Sequence, residues 1–220
     1  MAFPNNLTVI DNFNRTENPV SDGGKWTCPL NTGNGSLETV VGAYLQSTGG
    51  DCDGYRNDQD YGPDCEIYAT LQTVDVTNGH EWALFARIAA TGSIDGYKLS
   101  ITTSTGPIFT WELRVVTDSS DAALGASFTQ PLSNADAVGL QIIGDTLYAW
   151  HKPAAGSWTN LTSRVDGSNT YPSAGKFGVY IGGADWQLDS LNGGTIEAGA
   201  PNLIQSHFRF RNDDGGLGSP

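Results

Sequence analysis

No stretch of this chain keeps apolar residues at i, i+3, i+4 and i+7 for long enough to make an amphipathic helix. Short alternating or apolar runs recur instead, separated by the clusters SDGG, TGNG, STGG, NGH, IDG, IGD and IGG. Clusters of that kind supply the positive-φ positions of tight turns. The pattern therefore predicts strands near 7–13, 37–46, 65–74, 82–89, 97–103 and 108–116, then 137–143, 146–151, 158–165, 176–181 and 186–191. The run IIGDTLYAW, 142–150, reads as a hairpin with Gly144-Asp145 as its two-residue loop. About eleven strands with almost no helix define an antiparallel sandwich or barrel. A chain of 220 residues, 28 of them glycine, suits one large all-β domain. Composition shifts after Leu191, which divides the sequence into a main domain at 1–193 and a C-terminal linker and extended segment at 194–220.

Charge narrows the partners. Eleven Lys and Arg against 24 Asp and Glu give a net charge of −13, which opposes nucleic acid and anionic membranes. Apolar runs such as 82–90 are too short to span a bilayer. The opening MAFPNNLTVID has neither a basic n-region nor a continuous apolar h-region, so no secretory signal is expected. Three cysteines, Cys28, Cys52 and Cys65, leave at least one thiol unpaired, and a Cys52–Cys65 bridge stays open. Without C-x-x-C or a nearby histidine, zinc has little support.

The stretch DCDGYRNDQDYGPDCEIYA, 51–69, carries the sharpest question. Asp51, Asp53, Asp58 and Asp60 are hard oxygen donors of the kind calcium takes, although the EF-hand match fails because Gly62 stands at the twelfth position. Asp64 and Glu66 would share one face of a strand about 6–7 Å apart, a separation that suits an inverting acid pair. Against that, Asp64 follows Pro63, and Ile67 and Ala69 look like the core face, which puts Glu66 on the outer face, toward water unless a cleft covers it. The plain reading is a solvated acidic loop entering a strand at Cys65, with calcium as an alternative and catalysis not expected. His80, His151 and His207 are scattered, and neither a G-x-S-x-G elbow nor a phosphate-binding glycine loop occurs.

Aromatic rings are the remaining means of holding a sugar. Trp82, Trp111 and Trp150 fall mid-strand and belong to a core. Tyr55, Tyr61 and Trp158 lie in or beside turns and are the candidates for an exposed glycan platform, with rim packing as the alternative. In the C-terminal segment, Phe208 and Phe210 alternate with Arg209 and Arg211, a pattern that suits assembly by strand addition to a neighbouring sheet.

The order of motifs is distinctive: DNFNR at 11–15, KWT at 25–27, YGPDCEIYA at 61–69, LFAR at 84–87, DGYKL at 95–99, VGLQIIGDTLYAW at 138–150, GKFGVYI at 175–181 and LDSL at 188–191. It resembles the concanavalin A-like lectin/glucanase jelly roll, in the laminin-G-like version found in bacteriophage minor tail and capsid-associated proteins. The resemblance covers residues 8–191. It implies an antiparallel jelly-roll β-sandwich followed by an extended segment, and SHFRFRNDDG at 206–215 is similar to a segment of phage structural proteins. It departs from the pattern at Leu188-Asp189-Ser190-Leu191, where relatives often carry paired aspartates before an aromatic. The glucanase signature E-x-D-x-E is missing. The implied function is a non-catalytic virion protein, a capsid decoration or minor tail protein. Its implied partners are other virion proteins, host cell-surface polysaccharide and further copies of itself. It would assemble in the host cytoplasm and become extracellular on lysis, with no required cofactor and calcium as an option. A free lectin-like carbohydrate-binding module and a glycoside hydrolase with an atypical acid pair are the alternatives.

Overall fold

The computed structural model describes residues 3–28, 35–40, 42–90, 94–118, 120–183 and 185–197, so the Phe208, Arg209, Phe210 and Arg211 assembly motif lies outside the described residues. The described residues form sixteen strands: β1 (Val9–Asp11), β2 (Trp26–Thr27), β3 (Leu37–Val40), β4 (Tyr44–Ser47), β5 (Asp51–Arg56), β6 (Cys65–Thr73), β7 (Glu81–Ala90) and β8 (Ile94–Thr105), then β9 (Ile108–Thr117), β10 (Ser120–Ala123), β11 (Phe128–Pro131), β12 (Ala137–Ile143), β13 (Thr146–Lys152), β14 (Thr159–Val165), β15 (Lys176–Gly182) and β16 (Gln187–Thr195). They make two antiparallel sheets. Sheet I runs β14-β13-β12-β6-β16-β4-β3 with β1 paired to β16, and sheet II runs β10-β9-β8-β7-β15-β5-β2 with β11 paired to β9.

Alternation explains the sandwich. On β6, Cys65, Ile67, Ala69 and Leu71 point inward, and β12 contributes Val138, Leu140 and Ile142. Sheet II answers with Trp82, Leu84, Tyr97, Leu99, Ile101, Trp111, Phe177 and Val179. All of these belong to one apolar core, whose burial is the main force holding the two sheets together.

Three expectations are corrected. The acidic stretch does not remain a loop as far as Cys65, because Asp51–Arg56 is strand β5, paired on one side with β15 and on the other with β2. The strand expected at 37–46 is a hairpin, broken where Gly42 and Ala43 take φ of 121° and 63°. Short β2, β10 and β11 were not anticipated, and β10 is exposed at all four positions, so it carries no alternation to read. The hairpin at Gly144-Asp145 stands as expected, with Ile143 opposite Thr146.

Two motifs turn out to be joints. In DNFNR, Arg15 grips both oxygens of Asp11 at 2.7 and 2.8 Å, while Asp11 also accepts from the Trp26 indole at 2.8 Å and from the amide of Phe13 at 2.8 Å. This clasp fastens the first strand of sheet I to the edge of sheet II. In LFAR, Arg87 sits at a bulge with φ of 53° and is almost fully buried. Its guanidinium donates to the carbonyls of Pro63, Tyr171 and Gly144 at 2.6, 2.9 and 2.8 Å, tying three loops at one end of the sandwich.

Candidate binding face of sheet II

The face of sheet II turned away from the core is not an ordinary polar surface. Register sets one row across five strands: Tyr55 on β5, Gly178 on β15, Phe85 on β7, Lys98 on β8 and Arg114 on β9. The next row carries Asp53, Tyr180, Ala83, Ser100 and Glu112. Because side chains alternate along a strand, all ten positions share this face. Ala83, Phe85, Ile88, Ile94 and Val116 make a small second apolar cluster here, with Tyr55 and Tyr180 packed against it.

Charges are set into that apolar floor. Lys98 is 7% exposed, yet its ammonium meets Glu81 at 2.9 Å and Asp121 at 2.8 Å. The same ammonium stands 5.6 Å from the Phe85 ring centre and 5.4 Å from that of Tyr180, within cation–π range. Ser100 donates to Glu81 at 2.5 Å, and Arg114 pairs with Glu112 and lies 3.6 Å from Asp121. Burial, and then the hydrogen bond to Asp51, hold the Tyr180 phenol well above its ordinary range, so it keeps its proton at neutral pH. The hollow between these groups measures about 130 Å³ and is lined by Asp53, Phe85, Ile94, Lys98, Val116, Asp121 and Tyr180. Chemically it offers ring faces, fixed hydrogen-bonding groups of both signs and little freedom to rearrange.

The residues singled out in the sequence divide between places. Tyr55, Asp51 and Asp53 reach the sheet II face, on β5. Asp58 does not, since Arg56 holds both of its oxygens at 3.1 and 2.7 Å, and Asp60 pairs with Lys176 at 2.9 Å. The four aspartates therefore do not converge, and among the described residues no group of three or more His, Cys, Asp or Glu is placed to hold a metal. Tyr61 is no exposed platform, because it is 4% exposed and its ring stacks on Phe177 with centres 3.9 Å apart. Trp158 is half-buried and packs edge-on against Phe3 and Tyr68.

Asp64 and Glu66 are also occupied. Asp64 accepts from the amide of Gly144 at 2.8 Å, capping the β12–β13 hairpin. Glu66, expected toward water, is fully buried beneath the N-terminal segment, where Asn5, the amide of Asn6 and Gln141 donate to it. The sequence reading missed Phe85, Lys98, Glu81, Asp121 and Tyr180. Lys98 belongs to the DGYKL motif, which was the available signal.

No protein-family model matches the chain, and no curated protein sequence does. Solved structures do match in shape. Carbohydrate-binding module CBM66 from Bacillus subtilis superposes with a TM-score of 0.59 at 14% identity, covering 80% of this chain and 98% of that one. The fold is the lectin-type jelly roll. The metal-free VIP36 exoplasmic/lumenal domain gives a TM-score of 0.60 at 13% identity, covering 86% of this chain and 92% of that one. A legume lectin-like domain from Entamoeba histolytica gives 0.56 at 12%, covering 86% and 100%. This jelly roll thus shares its concanavalin A-like architecture with sugar-binding proteins, at identities that speak to fold alone.

Proposed function

We propose that the chain is a non-catalytic, lectin-like glycan-binding module whose ligand lies across the outer face of sheet II. The observation that carries this reading is Lys98, an ammonium fixed between Glu81 and Asp121 and walled by the Phe85 and Tyr180 rings. Ring faces receive the apolar side of a sugar, and pre-set polar groups receive its hydroxyls without reorganisation. Glu81 and Asp121, beside the hollow, are already paired with Lys98, which favours binding over acid catalysis. Calcium is not required by this reading, since Arg56 and Lys176 engage Asp58 and Asp60. VIP36 has been solved bound to Ca2+ and mannose, which keeps a metal-assisted variant worth testing alongside.

The setting we infer is a virion surface, as the motif order and the 206–215 segment suggest. Co-sedimentation with purified particles, with and without residues 194–220, tests that setting separately.

The decisive experiment is a polysaccharide array probed with the wild type, Tyr180→Ala and Lys98→Ala, repeated in EDTA. Binding by the wild type that both variants lose, with each still folded by circular dichroism, supports the proposal. A wild type that retains no glycan, or variants that bind equally well, overturns it. Cleavage of any arrayed polysaccharide would overturn the non-catalytic half.

A further inference from the structure

The N-terminal residues 3–8 lie outside any strand and cross the outer face of sheet I, on the opposite side of the sandwich from Lys98. Phe3 lies flat on Trp150, with ring centres 4.8 Å apart and planes 5° from parallel. Trp158 and Tyr68 stand edge-on to it at 4.7 and 5.8 Å. The floor is Gly139, where a Cβ would run into the Phe3 ring. Beyond the ring, Asn5 donates to Glu66 at 3.1 Å, the Asn6 amide donates to its other oxygen, and Tyr68 donates to the Asn6 carbonyl at 3.2 Å.

As a mere fastening, this seat is poorly made. Glu66 is fully buried with only neutral donors around it, and burial pushes its carboxyl up despite them. A buried carboxylate without a cation costs stability that an apolar residue would not. Trp150 is 7% exposed, and its indole N–H has no hydrogen-bond partner among the described residues. Phe3 thus fills the ring face of the box, while that N–H, in the plane of the indole, lies beside the stack.

We propose that this box is a second binding site, for a neutral saccharide unit stacked on Trp150, and that Phe3–Asn6 occupies it as a removable strap. A sugar ring would take the place of the Phe3 ring. Its hydroxyls would replace the Asn5 and Asn6 donors on Glu66. The strap lowers the apparent affinity by the fraction of molecules in which it is closed. This site shares no residue with the sheet II face and does not depend on it.

The test titrates cellohexaose, maltohexaose and mannohexaose into the wild type, Phe3→Ala, Phe3→Ala/Trp158→Ala and Phe3→Ala/Tyr180→Ala, followed by tryptophan fluorescence and calorimetry. Phe3→Ala is expected to bind at least one of the three about tenfold more tightly than the wild type. The gain should vanish with Trp158→Ala and survive Tyr180→Ala, which separates it from the sheet II reading. Should Phe3→Ala unfold, Phe3→Leu keeps the apolar fill without the stacked ring and carries the same expectation. No gain in a folded variant, or a gain that outlasts Trp158→Ala, overturns the proposal. So does binding of the blocked peptide Phe-Pro-Asn-Asn to Phe3→Ala with no sugar binding, which would make the box a dedicated peptide seat.

Discussion

Arg87 donates through Nε to the carbonyl of Pro63 at 2.6 Å, joining the middle of sheet II to the turn that leads into sheet I. Two further carbonyls depend on the same guanidinium. Arg87→Met would leave three acceptors without their donor and should cost about 3 kcal/mol or more in urea denaturation. Arg87→Lys should recover little, because one ammonium does not reproduce a planar fork aimed at three separate loops. A lysine variant with wild-type stability would contradict this role.

Acid should loosen the Asp11 clasp only below the ordinary carboxylate range. Burial pushes the Asp11 carboxyl up, but Arg15, the Phe13 amide and the Trp26 indole together hold it below its usual range. Burial likewise acts against Glu17, yet the amides of Asp22 and Ser21 and the Arg15 side chain bring it from 4.5 down to about 2. A depressed carboxyl stabilises the fold above its unfolded pKa and stops doing so as pH falls through the folded one. Asp11→Asn should therefore lower the denaturant midpoint at pH 7, and its deficit against the wild type should shrink as the pH falls below the ordinary carboxylate range.

Glu66 has the opposite sign. Burial raises its carboxyl pKa, so its favourable contribution is complete at low pH and declines as pH rises through the raised value. Relative to the wild type, Glu66→Gln should improve steadily as the pH is taken from acid to neutral. Parallel stability curves for the two proteins would show that the buried carboxyl does not titrate with folding.

The thiols give a further check. Cys28, Cys52 and Cys65 are all free, so the bridge left open between Cys52 and Cys65 is not made. Burial pushes the Cys65 thiol up to about 12 and, in the main, that of Cys28 up to about 11. Since the thiolate is the reactive form, both should resist Ellman's reagent in the folded protein and react once urea unfolds it. Rapid labelling of Cys65 under native conditions would mean that the sandwich opens far more readily than its core packing indicates.

The long strands were legible because their alternation is set by residues such as Ile67, Ala69 and Leu71, whose partners across the core are equally apolar. Strand β5 was hidden by its own composition. Cys52 and Gly54 are weak core signals, and the outward Asp51, Asp53 and Tyr55 read as loop chemistry until β15 is seen beside them. The face around Lys98 was illegible for a different reason. Glu81, Lys98 and Asp121 meet only through strand register, which no local window contains. Glu66 stands on the outer face that periodicity assigns it, but periodicity does not give what lies over a strand, and the cover comes from some 60 residues earlier in the chain.

The pairing of β1 with β16 sets Val9 opposite Asn192 and Asp11 opposite Leu191, so the described chain enters and leaves the sandwich on neighbouring antiparallel strands at the same end. Tension applied at those two points would not run through the body of the protein. It would pull β1 from β16 one pair at a time, as a zipper opens, while the remaining strands and the face around Lys98 hung to one side, bearing no load. A tether attached there would yield locally and still leave that face intact.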